Sequence, residues 1–228
     1  MNHSPYRLDA VLLAAHGSAV PAADRAYNFL LKRFAVAFAP LPVRLAFTAR
    51  TIQARLAAQG KGIPLLPDAI AELRQEGYHR LAVQPLYISA AEVFAKMKAM
   101  VDTAAPGTVI GRPLLSCTDD AVGFANAIFA ILPSERPDDE AVLLMGHGRI
   151  NGLAQPLYLA LERELRQRDP HVFLANLEEF PDFASRRREI KTAGFRRVIL
   201  QSLLPAIGYH VEHDMLGKHA ESLRSQLL

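Results

Sequence analysis

Imidazole and carboxylate side chains set far apart in the sequence, at His147, at Glu178 and around His210, could supply the ligands of a first-row metal ion. Around the last of them, His210, His213 and Asp214 are spaced i, i+3 and i+4, which places them on one face of a helix. Alone, such a cluster marks the start of a surface helix more often than a metal site. His147 and Glu178 shift that balance, because each stands at the end of an apolar run in the same half of the chain. Two imidazoles and one carboxylate suit Co²⁺, Ni²⁺, Fe²⁺ or Zn²⁺. An unperturbed imidazole, with a pKa of about 6.5, is mostly neutral at pH 7 and can ligate a metal or accept a proton. No thiolate accompanies these residues, and their spacing is not that of a structural zinc site. The pattern fits an open site that takes an ion up and gives it away.

The runs that carry these residues occur twice. Ala10-Val-Leu-Leu-Ala-Ala stops at His16-Gly17, and Ala141-Val-Leu-Leu-Met-Gly stops at His147-Gly148. Tyr27 and Tyr158 each follow eleven residues after those histidines. Pro67-Asp68 matches Pro181-Asp182, and the stretch 77–86 reads like 194–203. Self-similarity kept in order implies two related halves. Strand patterns over 10–15, 43–48, 80–88, 109–115, 142–146, 172–177 and 198–204 are apolar at successive positions, as parallel strands covered on both faces should be. Helical patterns lie between them, at 22–38, 51–59, 68–76, 91–102, 119–131, 155–167 and 183–193, and a last one covers 211–227. Gly77 and Gly194 close two of these helices, and Asp68 and Asp119 stand at N-cap positions. The alternation predicts an α/β fold of βαβ units with parallel sheets. Ser134–Glu140, polar and bearing a proline, reads as a linker. Ligands in such sheets bind beyond the carboxyl ends of the strands. Those ends carry His16, Thr48, Tyr87, His147, Glu178 and, just past the last strand, His210.

Composition narrows the function classes. With 228 residues, half of them apolar, there is material for two buried sheets. A net charge of +3 is too small to imply a nucleic-acid partner, and Arg186-Arg187-Arg188 reads as a solvated helix face. The single cysteine, Cys117, excludes an internal disulfide, fits a reducing compartment and reads as a small buried residue. No signal-like segment and no run of about 18 apolar residues is present, so a soluble cytoplasmic protein without a membrane partner is expected. No phosphate loop occurs, and Gly146-His-Gly148 with Gly152 is a poor dinucleotide turn, so no nucleotide is expected. Without a G-x-S-x-G elbow, Ser18 lacks the strained turn of a hydrolase nucleophile.

Along nearly its whole length the chain resembles the anaerobic-type sirohydrochlorin cobaltochelatases, the class II chelatases. The residues carrying the likeness are Leu13-Ala-Ala-His-Gly-Ser18, Ala46-Phe-Thr-Ala-Arg50, Gln84-Pro-Leu-Tyr87, Gly111-Arg-Pro-Leu-Leu115, Leu144-Met-Gly-His-Gly148, Leu177-Glu-Glu-Phe-Pro181 and Ala206 through Gly217. The resemblance implies a chelatase-like fold, two Rossmann-like domains related by internal duplication, with the active site in the cleft between them. The first domain would span 1–115 and the second 116–210, the helix over 211–228 packing back on the first. It implies that His147, Glu178 and His210 hold the metal and that His147 also accepts pyrrole protons. His16, Ser18, Arg50, Tyr87, Glu92 and Arg149 are the candidate contacts to the tetrapyrrole.

Two departures stand out in the first half. Tyr87 takes the place of a family histidine, and the family acid falls on Val93, with Glu92 one position early. On a helix one position turns a side chain by roughly 100°. The implied activity is insertion of Co²⁺ into sirohydrochlorin, with a homo-oligomer compatible. Insertion of iron or nickel into that ring, or a tetrapyrrole or metal carrier without turnover, are the alternatives that the ligand set leaves open.

Overall fold

The computed structural model describes residues 8–148, 154–178 and 180–227. The chain divides into two compact units. One combines the residues up to Tyr87 with Glu92–Pro113 and Pro205–Gly208, and the other combines Ile88–Ala91, Leu114–Leu204 and the residues from Tyr209 onward.

The first unit contains β1 (Ala10–Ala15), α1 (Ala23–Ala37), β2 (Val43–Phe47), α2 (Arg50–Ala58), α3 (Leu66–Gln75), β3 (Leu81–Pro85), α4 (Glu92–Ala104) and β4 (Val109–Ile110). Its sheet is parallel with order β2-β1-β3-β4. All six residues of β1 are buried, which is why that run shows no alternation. Ala10, Leu12 and Ala14 pack toward Leu66, Ile70 and Leu73 of α3 and Met97 and Val101 of α4. On the other side Ala15 joins Tyr27, Phe47 and Leu56.

The second unit contains α5 (Asp120–Phe129), β5 (Glu140–Gly146), α6 (Gln155–Arg168), β6 (Val172–Asn176), α7 (Phe183–Thr192), β7 (Arg197–Ser202), a π-helix (His210–Met215) and α8 (Leu223–Leu227). Its parallel sheet has order β6-β5-β7, the same permutation as β2-β1-β3. Val142 and Leu144 face Leu161 and Leu165 of α6, while Ala141, Leu143 and Met145 face the α7 side. Each fully buried leucine of this kind contributes about 1.5–3 kcal/mol relative to exposure. The two-layered covering of β5 is the energetic reason its end is a fixed platform.

Several local expectations need correction. Strands β3 and β4 are shorter than the apolar runs at 80–88 and 109–115: β3 pairs with β1 only over Leu81–Pro85, and β4 with β3 only at Val109 and Ile110. Ser134–Glu140 is not a boundary: it lies within the second unit, between α5 and β5, and Arg136 is tied to Asp169. The final stretch is not one helix. A bond from Leu216 N–H to the Val211 carbonyl (3.0 Å) gives the π-helix its wider turn. The chain then breaks at Gly217, where a Cβ would lie 2.2 Å from the His213 carbonyl oxygen. Ser222 opens α8 by accepting from the Ser225 N–H at 3.1 Å, and its hydroxyl donates to the Gly217 carbonyl at 2.7 Å. Val211, Met215 and Leu223 are buried with Phe173 and Ile190 of the second unit.

The helix ends also differ from the pattern. Gly77 and Gly194 do follow α3 and α7 in the left-handed region, with φ of 95° and 81°. Asp68 is not a cap, because α3 already begins at Leu66. Asp119 does stand at the N-cap of α5 but makes no side-chain cap bond, and Asp120 instead accepts from the Ser116 and Cys117 N–H groups at 2.8 and 3.0 Å. Cys117 is exposed, not buried. Of the arginine triplet, Arg186 is mostly buried, donating to Glu162 (2.7 Å), Glu189 (2.8 Å) and the Leu174 carbonyl (3.2 Å). Burial pushes the Glu162 carboxyl pKa up, against the pull of Arg186.

Candidate metal site

The second unit assembles its candidate ligands from three separate strand ends and turns. β5 ends at Gly146 and delivers His147; β6 ends at Asn176 and delivers Glu178 two residues on; the π-helix begins with His210. Backbone bonds fix the first two against each other. The His147 carbonyl accepts from both the Leu177 and Glu178 N–H groups at 3.1 Å. Gly146 is required here, since a Cβ would lie 2.5 Å from Asn176 Oδ1 and 3.1 Å from the Tyr158 ring.

The side chains meet above this frame. His147 Nδ1 lies 3.7 Å from Glu178 Oε2, and the His147 and His210 rings meet edge to face with centroids 4.7 Å apart. Side-chain exposures of 34%, 39% and 43% for His147, Glu178 and His210 leave all three open to a ligand from solvent. His147 Nδ1 is also 2.9 Å from the Gly148 carbonyl. A carbonyl oxygen can only accept, so Nδ1 carries the hydrogen and Nε2 keeps its lone pair. Among the described residues, no three His, Cys, Asp or Glu side chains already stand around one point as an ion would need. The three candidates are therefore neighbours rather than a closed cage, and clasping an ion would take a side-chain adjustment.

The rest of the histidine cluster adjoins His210 through a shared carboxylate and an outer aromatic stack. His213 stacks on Tyr209 (4.6 Å, 14° between planes) and on His219 (4.4 Å). His210 and His213 nevertheless stay together through Asp214, as the spacing of the three predicts, although the segment is a π-helix and not an α-helix. Asp214 bridges them, with Oδ2 at 2.6 Å from His210 Nδ1 and Oδ1 at 2.9 Å from His213 Nδ1. Partial burial raises the Asp214 pKa, but the hydrogen bonds from His213 and His210 outweigh it and hold the carboxyl below its ordinary value.

In the first unit, the candidate contacts are more committed. His16 is exposed after β1. The Ser18 hydroxyl is buried, donating to the Ile207 carbonyl at 3.0 Å and accepting from the Val20 N–H at 3.2 Å. Tyr87 is buried with its hydroxyl 2.9 Å from Thr48 Oγ1. Burial, against the pull of that bond, pushes its pKa up to about 12. Arg50 opens α2 at the surface. Glu92 opens α4 and pairs with Lys96 at 2.5 Å, while Val93 packs against the core of the first unit. Arg149 lies outside the described residues.

Two features of the metal site escaped the sequence reading. The Asn176 side-chain amide is buried beside Gly146 with no hydrogen-bond partner among the described residues, and nothing in the pattern signals it. Asp214 was visible as the i+4 partner of His210, but its bridging role needs the coordinates.

Comparison with known proteins places nearly the whole chain among relatives. A family model described as cobalt chelatase (CbiK) matches residues 9–228. Sirohydrochlorin cobaltochelatase CbiKC of Nitratidesulfovibrio vulgaris is 33% identical over 230 residues, covering 99% of this chain and 81% of its own length. Sirohydrochlorin cobaltochelatase of Salmonella typhimurium is 27% identical over 158 residues, covering 68% of this chain and 59% of its own. Among the described residues, no helix is long and apolar enough to cross a membrane.

Proposed function

The chain belongs to the cobalt chelatase (CbiK) family, and from that premise we propose that it inserts Co²⁺ into sirohydrochlorin, receiving the ion on His147, Glu178 and His210. The observation that carries this assignment of residues is the meeting of two imidazoles, 4.7 Å apart, with a carboxylate 3.7 Å from one of them. Neutral imidazoles and one carboxylate hold a first-row ion while leaving it partly hydrated. Four ring nitrogens then outcompete three protein ligands, and the ion transfers.

Each ion inserted displaces two pyrrole N–H protons. As the ion leaves His147 for the ring nitrogens, the freed Nε2 lone pair takes one of these protons and passes it to water through the exposed edge of the ring, and it can serve the second in the same way. A base titrating near neutral pH contributes typically 10²–10⁴-fold. Holding ring and ion in register supplies much of the remainder. His16, Arg50, Arg149 and Glu92 are the side chains proposed to meet the ring and its carboxylates, arginines being suited to bidentate carboxylate contacts. Tyr87 and Ser18, already bonded inside the fold, shape that surface instead of binding through their hydroxyls. Fe²⁺, Ni²⁺ and Zn²⁺ satisfy the same ligand set, so metal choice rests on supply and on the ring's own preference. A homo-oligomer is compatible with this chemistry.

A second reading, a carrier that binds ring or metal without turnover, is favoured by Tyr87 and Val93 standing where the family resemblance expects a histidine and an acid. Anaerobic mixing of the purified protein with sirohydrochlorin and Co²⁺, followed by absorbance, separates the two. The chelatase reading requires acceleration over the uncatalysed rate and its loss in His147→Ala. Ring binding without acceleration would establish the carrier instead.

A further inference from the structure

Asp214 is assigned no part in the metal set above, yet it is the group that decides what His210 can do. We infer that Asp214 is the positioning residue of the metal site, fixing His210 as an Nδ1–H tautomer with its Nε2 lone pair presented to the ion. This rests on His210 being a ligand as proposed.

The geometry is specific. Asp214 Oδ2 lies 2.6 Å from His210 Nδ1, within one turn of the π-helix. An ionised carboxylate accepts and cannot donate, so the shared hydrogen belongs to the imidazole. A neutral imidazole carries a single N–H, and with that on Nδ1 the only ligating atom left is Nε2. The carboxylate also stiffens the ring and raises its basicity, both of which strengthen a metal bond. Its second oxygen is held at 2.9 Å by His213, whose ring is clamped between Tyr209 and His219 at 4.6 and 4.4 Å. The outer stack thus anchors the carboxylate, the carboxylate anchors His210, and His210 meets His147.

His147 reaches the same state by other means, its Nδ1 lying against the Gly148 carbonyl at 2.9 Å. Both imidazoles therefore offer Nε2, one oriented by backbone and one by Asp214. Only the second can be altered by a side-chain substitution.

The test uses metal-free protein and Co²⁺ alone. Nitrogen-15 NMR of the His210 ring should show the Nδ1–H tautomer in the unsubstituted protein and its loss in Asp214→Ala. Co²⁺ affinity should fall about 10–100-fold in Asp214→Ala. Asp214→Asn, whose amide oxygen can still accept, should recover part of both signals, and it decides the matter if the alanine variant does not fold. An unchanged tautomer and unchanged Co²⁺ affinity in Asp214→Ala, with His210→Ala still weakening Co²⁺, would overturn the positioning role alone. If His210→Ala also leaves Co²⁺ binding intact, it is the proposed metal set that fails, and this role goes with it.

Discussion

The two halves of the molecule end a buried strand in the same His-Gly but set it in different surroundings. In the first, Ala15 precedes His16, and the neighbouring strand closes with Phe47, whose ring meets Tyr27 at 5.2 Å. In the second, Gly146 precedes His147, and the matching position holds Asn176 beside Tyr158. One copy seals its strand end with an aromatic pair. The other keeps a buried amide there with no partner among the described residues, an arrangement that costs about 1–3 kcal/mol when left unmet. The polar neighbours follow suit, with Thr48 and Tyr87 bonded to each other in the first unit and Glu178 and His210 left exposed in the second. The two strand ends match in position but not in content: one is closed by aromatic packing, and the other carries that amide beside exposed imidazole and carboxylate groups.

This contrast can be broken most directly through the paired histidines. His147→Ala should lower the rate of Co²⁺ insertion by at least about 10²-fold, while His16→Ala leaves Co²⁺ affinity unchanged; equal losses of Co²⁺ binding would erase the asymmetry. The strand ends come next. Gly146→Ala should destabilise the protein by about 1–3 kcal/mol in denaturant unfolding, because its Cβ meets Asn176 Oδ1. Asn176→Ala introduced alongside should relieve part of that loss, and strictly additive effects would deny the contact.

The matched Pro-Asp pairs give a smaller difference. Asp182 accepts from the Ser185 N–H at 2.9 Å as the cap of α7, so Asp182→Ala should cost about 1 kcal/mol. Asp68→Ala should cost less, since Asp68 lies inside α3; similar melting shifts for the two would contradict that. The smallest effect is alkaline. Folding holds Tyr87 protonated up to about 12, whereas the unfolded chain loses this proton near its ordinary value of 10.0. Stability should therefore decline as pH rises between those values. Tyr87→Phe should remove that share of the slope, and an identical slope would place the Tyr87 hydroxyl in solvent.

Much of the fold was legible because β1 and β5 are continuous apolar runs ending in the same dipeptide, and Gly77 and Gly194 mark true helix ends. The nearness of His147, Glu178 and His210 was foreshadowed by residue type at strand ends and by the family resemblance. What could not be read depends on winding and register. The spacing of His210, His213 and Asp214 announces neither the π-helix nor the single carboxylate that bonds both imidazoles. Gly217 and Ser222 interrupt a periodic pattern that otherwise runs on through 211–227. Arg186, part of an arginine run that looks solvated, is drawn inside by Glu162, a partner 24 positions away. Cys117 is held at the surface by the turn around Asp120, a placement that hydrophobicity alone would not give.

The central claim is that this chain receives its substrate ion on two imidazoles and one carboxylate of the second unit. X-ray absorption at the cobalt edge, on protein loaded with Co²⁺ but no tetrapyrrole, addresses it most directly. The account predicts two imidazole nitrogens and carboxylate oxygen among the ligands, with one imidazole lost in His147→Ala and one in His210→Ala. A cobalt shell without imidazole, or one that neither substitution alters, would contradict it.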